Sequence, residues 1–104
     1  MDDRLLFLYS LKDNWGSYNE KKPLQRCIVN ANKILKMLES NTPEPCIIPT
    51  PKGGVQLEWS IKGFDFEIEC KENCYDVLFV QGDKVIIERS YTNSAQLIPL
   101  IRKL

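Results

Sequence analysis

The chain offers three patterns that could do chemistry: four cysteines, a run of alternating carboxylates and a glycine pair. Cys70 and Cys74 are separated by three residues, and such a close pair is half of a four-thiolate zinc site. The second pair is missing, because Cys27 and Cys46 lie far apart in the sequence. The spacing also differs from the C-x-x-C of thioredoxin-like redox motifs. We therefore predict no metal and no cofactor. Because the sequence shows no export signal and offers a core without disulfides, we expect the thiols to be reduced.

Histidine is absent, which excludes the imidazole base of the serine and cysteine triads and every histidine metal ligand. Glu58, Asp65, Glu67 and Glu69 could in principle supply a general acid and a general base. Catalytic carboxylates need surroundings that push their pKa values apart, whereas these four alternate along strands that are predicted to face water. We expect a solvated sheet face there and predict no catalytic residues.

A phosphate-binding loop is the chemistry that the glycine pair at residues 52–54 (Lys-Gly-Gly) would suggest. The order of residues is the reverse of the P-loop pattern, and a strand rather than a helix follows. The segment is therefore interpreted as a tight turn before a strand.

Nucleic acid is a further candidate ligand, because basic residues are concentrated in the helical segments and Trp15 and Tyr18 could stack on bases. Acidic residues interleave with these basic residues, and the whole chain carries 14 basic and 14 acidic residues, so its formal charge is zero. The sequence predicts at most a weak nucleic-acid binder through the helical face. The basic residues are Lys21, Lys22, Arg26, Lys33, Lys36, Arg102 and Lys103.

The hydrophobic pattern indicates where helices lie. Apolar residues spaced by three and four predict an amphipathic helix over residues 23–40, with Cys27 on its apolar stripe and Asn30 on its polar face. A short helix is predicted at residues 3–11, and another in the C-terminal tail after the capping residues Thr92, Asn93 and Ser94. The polar segment 12–22 is predicted to be a loop.

A period of two replaces the helical period from Val55 onward and predicts antiparallel strands joined by short turns. An edge strand is expected at 46–48 in the proline-rich segment. All 104 residues are assigned to a single α+β domain with two layers, in which an antiparallel meander sheet of four to five strands packs on two or three helices. The remaining predicted strands are 55–61, 64–70, 75–80 and 85–91.

The N-terminal residues Met1-Asp2-Asp3 are acidic, and the apolar run that follows is short. A secretory signal peptide has a basic start and a longer apolar run, and a membrane-spanning helix needs about 20 apolar residues. The expectation is therefore a cytoplasmic protein that does not enter a membrane.

Several apolar side chains could contact a partner protein. Trp59 alternates with polar residues and is predicted to lie in the core, whereas Trp15 lies in a polar loop. Trp15 is predicted to fold back beneath that loop, or alternatively to be an exposed anchor for a partner. Leu78, Val80 and Ile86 are predicted to lie on the sheet face that should be wet, and exposed apolar patches of this kind are typical of contact surfaces.

The segment Trp15-Gly16-Ser17-Tyr18, the amphipathic helix and the hairpin pattern P-x-x-x-G-G-x-x-x-x-W, which runs from Pro49 to Trp59, form one combination. It resembles a family of small uncharacterised bacterial proteins, over roughly residues 11–70. The shared motifs are structural, so the resemblance implies no catalytic residues. It implies a bacterial source and a role accessory to another gene product.

The sequence favours a non-catalytic protein-interaction module, such as an adaptor, an inhibitor or an antitoxin-like protein. Its partner would be another protein, or a second copy that forms a homodimer through the sheet. The alternative is a small-ligand or enzymatic pocket between the sheet and the Trp15 loop, and nucleic-acid binding comes third. The candidate interface residues are Leu78, Val80, Ile86, Trp15 and Tyr18.

Overall fold

The computed structural model describes all 104 residues and confirms the predicted α+β class. Five strands form one antiparallel sheet in which each strand pairs with its neighbours along the chain. The expected edge strand is present within the proline-rich segment. The strands are β1 (Cys46–Pro49), β2 (Val55–Ile61), β3 (Phe64–Cys70), β4 (Tyr75–Gln81) and β5 (Lys84–Tyr91).

Three helices cover one side of this sheet. They are α1 (Asp3–Leu8), α2 (Gln25–Met37) and α3 (Ile98–Ile101), the last preceded by a 3₁₀ turn at Ser94–Leu97. None of them has the length and apolar character needed to cross a membrane.

The hydrophobic core lies between α2 and one face of the sheet, which we call the inner face. Alternate residues of β2, β3 and β4 are buried there, as the period of two predicts. Phe66 is fully buried at the centre. Its ring packs edge-to-face against Trp59 and Phe79, with distances between ring centres of 5.6 Å and 5.3 Å. The indole N–H of Trp59 donates to the Pro43 carbonyl at 2.7 Å, which satisfies its one polar atom. Trp59 is thus a core residue, as predicted.

The helix α2 is shorter than the predicted span 23–40 because its two flanking residues are extended. The Leu24 N–H donates to the Gly53 carbonyl at 2.9 Å, so Leu24 joins the glycine turn and α2 begins after it. At the other end Leu38 is extended and packs against the core. The first helix likewise ends at Leu8 rather than at residue 11.

Asn30 was predicted on the polar face of α2 but is buried. Its side-chain amide donates to the backbone carbonyls of Lys71 at 2.8 Å and Glu72 at 3.1 Å, in the turn between β3 and β4. A buried amide of this kind is stable only because the carbonyls of the turn accept from it. The contact fixes α2 against one end of the sheet.

The two edges of the sheet differ. The β1 edge lies beside α1, where the Arg4 guanidinium donates to the Pro45 carbonyl at 2.7 Å and pairs with Glu44 at 2.8 Å. At the other edge, β5 pairs with β4 and contacts the 3₁₀ turn at Ser94–Leu97 rather than α1.

We expect Phe66→Ala to lower the free energy of unfolding by about 3–5 kcal/mol, because it empties the centre of an aromatic cluster. Urea titration followed by circular dichroism measures this loss. Phe64→Ala, which truncates a half-buried ring at the start of β3, is the matched control and should lower the free energy of unfolding by less. Equal losses in the two variants would contradict this account of the core.

Candidate functional site

The face of the sheet opposite the helices, which we call the outer face, is built from three rows of directly opposed residues on β2 to β5. Residues that face each other across antiparallel strands share a side of the sheet. Six of the twelve positions are carboxylates. The rows are Gln56–Glu69–Asp76–Ser90, Glu58–Glu67–Leu78–Glu88 and Ser60–Asp65–Val80–Val85.

Carboxylates oppose each other twice on this face. Glu58 lies opposite Glu67, and Glu69 lies opposite Asp76, although like charges in such positions destabilise a sheet. The Gln56 side-chain amide bridges the first pair, donating to Glu58 Oε1 at 2.5 Å and to Glu67 Oε1 at 3.1 Å. The amide neutralises no charge, so it offsets the repulsion only in part.

The two pairs differ in how their charge is balanced. Partial burial raises the pKa of Glu67, and the neighbouring charges of Glu58 and Asp65 raise it further. Asp76 has the opposite shift: the hydrogen bond from Lys71, whose Nζ lies 2.7 Å away, holds its pKa below the ordinary value, and Ser90 contributes. The fold therefore disfavours the charge of Glu67 and favours that of Asp76.

Apolar residues of β4 and β5 form one corner of the outer face, and Ile48 of β1, opposite Gln56, adds an exposed apolar side chain at the other edge. Leu78 and Val80 are half-buried on β4, as predicted for that face, and Val85 on β5 lies opposite Val80 with 53% of its surface exposed. Ile86 was predicted to lie with them, but a β-bulge shifts the register here, and Val85 takes the position facing Val80. Ile86 is 42% exposed beside the corner.

The outer face contains a shallow hollow of about 470 Å³. Most of its lining comes from the first two rows, so carboxylates surround it and Leu78 lies among them. Because a sheet rather than a cleft forms its base, it offers a surface for docking rather than an enclosed binding pocket. Its outer-face lining residues are Gln56, Glu67, Glu69, Asp76, Leu78, Glu88 and Ser90.

The loop at residues 12–22 is held together by its own contacts. Trp15 was predicted to fold into the core or to stand exposed, but it is half-buried outside the core cluster, and its indole N–H donates to the Lys21 carbonyl at 2.9 Å. The indole does not reach the core because the carbonyl of its own loop holds it. Tyr18 is 88% exposed at the tip.

Sequence reasoning did not identify Glu20, whose side chain organises this loop. It is 7% exposed and accepts hydrogen bonds from the backbone N–H groups of Gly16 at 3.2 Å and Tyr18 at 2.9 Å. Burial by itself would raise the pKa of Glu20, but the backbone N–H groups of Glu20 itself, Tyr18 and Gly16 together outweigh it and hold the pKa below the ordinary value. A loop has no periodicity, so the sequence carries no signal that would mark Glu20 as buried.

The structure does not bring the Trp15 loop and the apolar corner together. Lys21 of the loop pairs with Lys52, just before β2 begins, whereas Val80 and Val85 align with Ser60 near the end of β2. The candidate interface residues therefore fall into two groups at opposite corners of the sheet.

The four cysteines are free thiols. Cys27 and Cys70 are buried, and burial raises the pKa of Cys27 to about 11 and that of Cys70 further still. Both are protonated at neutral pH and pack as small hydrophobes. Cys74 is half-buried and Cys46 is exposed, and no group of three or more candidate ligands is arranged to hold a metal ion.

A second hollow, of about 590 Å³, lies between the start of α2, the glycine turn and the end of β3. Its charged lining residues are of both signs: Lys52 and Lys71 face Glu69 and Glu72. Trp15 does not line it, so it differs from the pocket expected between the sheet and the Trp15 loop.

The basic residues of the helical segments are all exposed.

Comparison with known proteins gave no match, whether to a family model, to a curated protein or to a solved structure.

The loop around Glu20 should respond to acid. Because the folded state lowers the pKa of Glu20, ionised Glu20 stabilises the fold above its unfolded pKa, and that stability is lost as the pH falls through the folded value. The amide resonances of Gly16 and Tyr18 in ¹H–¹⁵N spectra should shift together with a midpoint below 4.5, the ordinary value for Glu. In Glu20→Gln this titration should be absent, and its persistence would show that another group is responsible.

Two substitutions on the outer face should change stability in opposite directions. Glu67→Gln removes a charge that its neighbours repel, and should raise the free energy of unfolding at neutral pH by about 0.5 kcal/mol. Asp76→Asn removes a charge paired with Lys71, and should lower it. Parallel urea titrations compare the two variants, and a loss of stability in both would contradict the electrostatics described for this face.

Proposed function

We propose that the protein is a non-catalytic interaction module that binds a partner protein through the outer face of its sheet. The observation that carries this proposal is the apolar corner formed by Leu78, Val80 and Val85 on a face that no helix covers. The role suggested is that of an adaptor, inhibitor or antitoxin-like protein.

The apolar corner departs from the pattern of a solvated sheet. A sheet with one wet face normally alternates apolar residues inward with polar residues outward. β2 and β3 follow this rule along their whole length, whereas Leu78 and Val80 on β4 break it, and Val85 extends the apolar surface onto β5. Contiguous apolar surface of this kind typically marks a contact with another macromolecule.

Another protein fits the outer face better than a second copy does. Two copies docked face to face would bring six carboxylates of one against six of the other, and like charges across an interface oppose association. We therefore expect a monomer at neutral pH. Sedimentation equilibrium measures the oligomeric state. A dimer that dissociates when Leu78→Ser is introduced would show that the outer face binds a second copy, and would contradict the proposal that it binds another protein.

The binding test uses the tagged chain as bait in extract of its source organism, with retained proteins identified by mass spectrometry. A protein retained in stoichiometric amount is then purified, and its affinity is measured by calorimetry. The combined variant Leu78→Ser and Val80→Ser should bind at least about tenfold more weakly, because it removes the apolar centre of the contact.

Val29→Ser is the matched control, because it alters an exposed apolar residue of α2 away from the sheet's outer face. It should bind as the parent does, and ¹H–¹⁵N spectra verify that each variant is folded. Tyr18→Ala tests the other corner. Binding lost in Tyr18→Ala and kept in the Leu78 and Val80 variant would move the contact to the Trp15 loop and overturn the proposal, as would the absence of any retained protein.

A further inference from the structure

The charge on the outer face indicates what kind of protein surface can dock there. We infer that the partner presents a cationic surface, rich in lysine or arginine, with an apolar centre that meets Leu78, Val80 and Val85. This inference rests on the proposed function, since it names the chemistry of the partner that the outer face binds.

The negative charge of this face is balanced only in part by basic residues of the same chain. None of the twelve positions in its three rows is basic, and the six carboxylates have one cationic partner, Lys71, which pairs with Asp76. Arg89 of β5 also lines the hollow, but its register position opposite the buried Val77 belongs to the inner face. Its guanidinium is 5.4 Å from the centre of the Tyr91 ring and forms no salt bridge with the carboxylates. Lys84 lies opposite Gln81, next to the outward pair of Val80 and Val85.

The carboxylates of the outer face repel one another in the isolated protein. Glu58 and Glu67 share a single neutral donor, Gln56, and no basic side chain lies across from either of them. Cations brought by a partner would lower this repulsion while forming ion pairs, so both effects favour the complex. A neutral or acidic partner would bury the carboxylates without compensation, which costs free energy.

The size of the face explains why charge matters to its binding. Five strands about 4.8 Å apart and about seven residues long give an area of roughly 500 Å². Interfaces of that area on each side total about 1,000 Å², at the low end for specific complexes. In contacts of this size, complementary charge raises the association rate and discriminates between partners. Arginine and lysine opposite these carboxylates would therefore supply specificity that the small apolar corner cannot.

The first test uses a defined probe, a short peptide of alternating lysine and leucine, with a glutamate–leucine peptide of equal length as its counterpart. Titrations into the ¹⁵N-labelled chain at low salt should shift the amide resonances of the three rows with the lysine peptide only. The binding should weaken at physiological salt, where charges more than about 8 Å apart are screened.

The combined variant Glu58→Gln, Glu67→Gln and Glu69→Gln removes three charges with little change in shape. It should bind the lysine peptide about tenfold more weakly, in line with the loss of several exposed ion pairs. It should nevertheless be as stable as the parent or more stable, because it removes repulsion. The control variant Glu39→Gln, Glu72→Gln and Asp83→Asn removes the same number of charges outside the three rows and should bind as the parent does.

Equal weakening in the two variants would show that net charge alone attracts the peptide, and would overturn the inference, as would shifts confined to the helical layer or no binding at low salt. A partner captured from extract separates the two proposals. If it loses affinity in the Leu78 and Val80 variant but keeps it in the three-glutamine variant, the interaction function stands and the cationic partner is excluded. If neither variant affects it, both proposals fail.

Discussion

The apolar contact between α2 and the inner face of the sheet is the interaction on which the rest of the molecule depends. Ile28, Ala31 and Ile34 of the helix and Leu57, Phe66 and Ile68 of the sheet are all fully buried in the same core cluster. A chain of this length supplies one helix of 13 residues and two short helices, and they lie in a single layer. A single layer of helices can shield only one face of a five-stranded sheet from solvent, so the outer face remains exposed.

That open face explains the uneven distribution of charge and apolar surface. A face that met only water would be most stable with mixed charges and no exposed valine, because opposed like charges and contiguous apolar surface are both unfavourable there. The outer face has both features, in two opposed carboxylate pairs and an apolar corner. Functional surfaces commonly carry such local costs, since the groups that bind a partner are unsatisfied in its absence. The proposed interaction and the cationic partner follow from the same imbalance.

Most of the fold could be predicted because it depends on periodicity. The strands were placed within one residue of their ends, β2 and β3 by alternation and the edge strand β1 by its place in the proline-rich segment, and the meander followed from the shortness of the turns. The ends of α2 were less predictable: Leu24 pairs with Gly53, and Leu38 turns toward the core, and both contacts involve parts of the chain that a local pattern does not include. The same applies to Asn30, whose partners are more than 40 residues away.

The candidate site was predictable in part. Alternation placed the carboxylates, Leu78 and Val80 on the outer face. The β-bulge that puts Val85 rather than Ile86 opposite Val80 arises from the pairing of β4 with β5, which alternation does not predict. Trp15 and Glu20 were not predictable, since their partners are backbone groups of an irregular loop. The sequence by itself determined which residues alternate, and hence the fold class and the composition of each face. Only the tertiary structure decided which helix covers the inner face, which carboxylates oppose each other and which polar groups are buried, because those depend on contacts between segments distant in the chain.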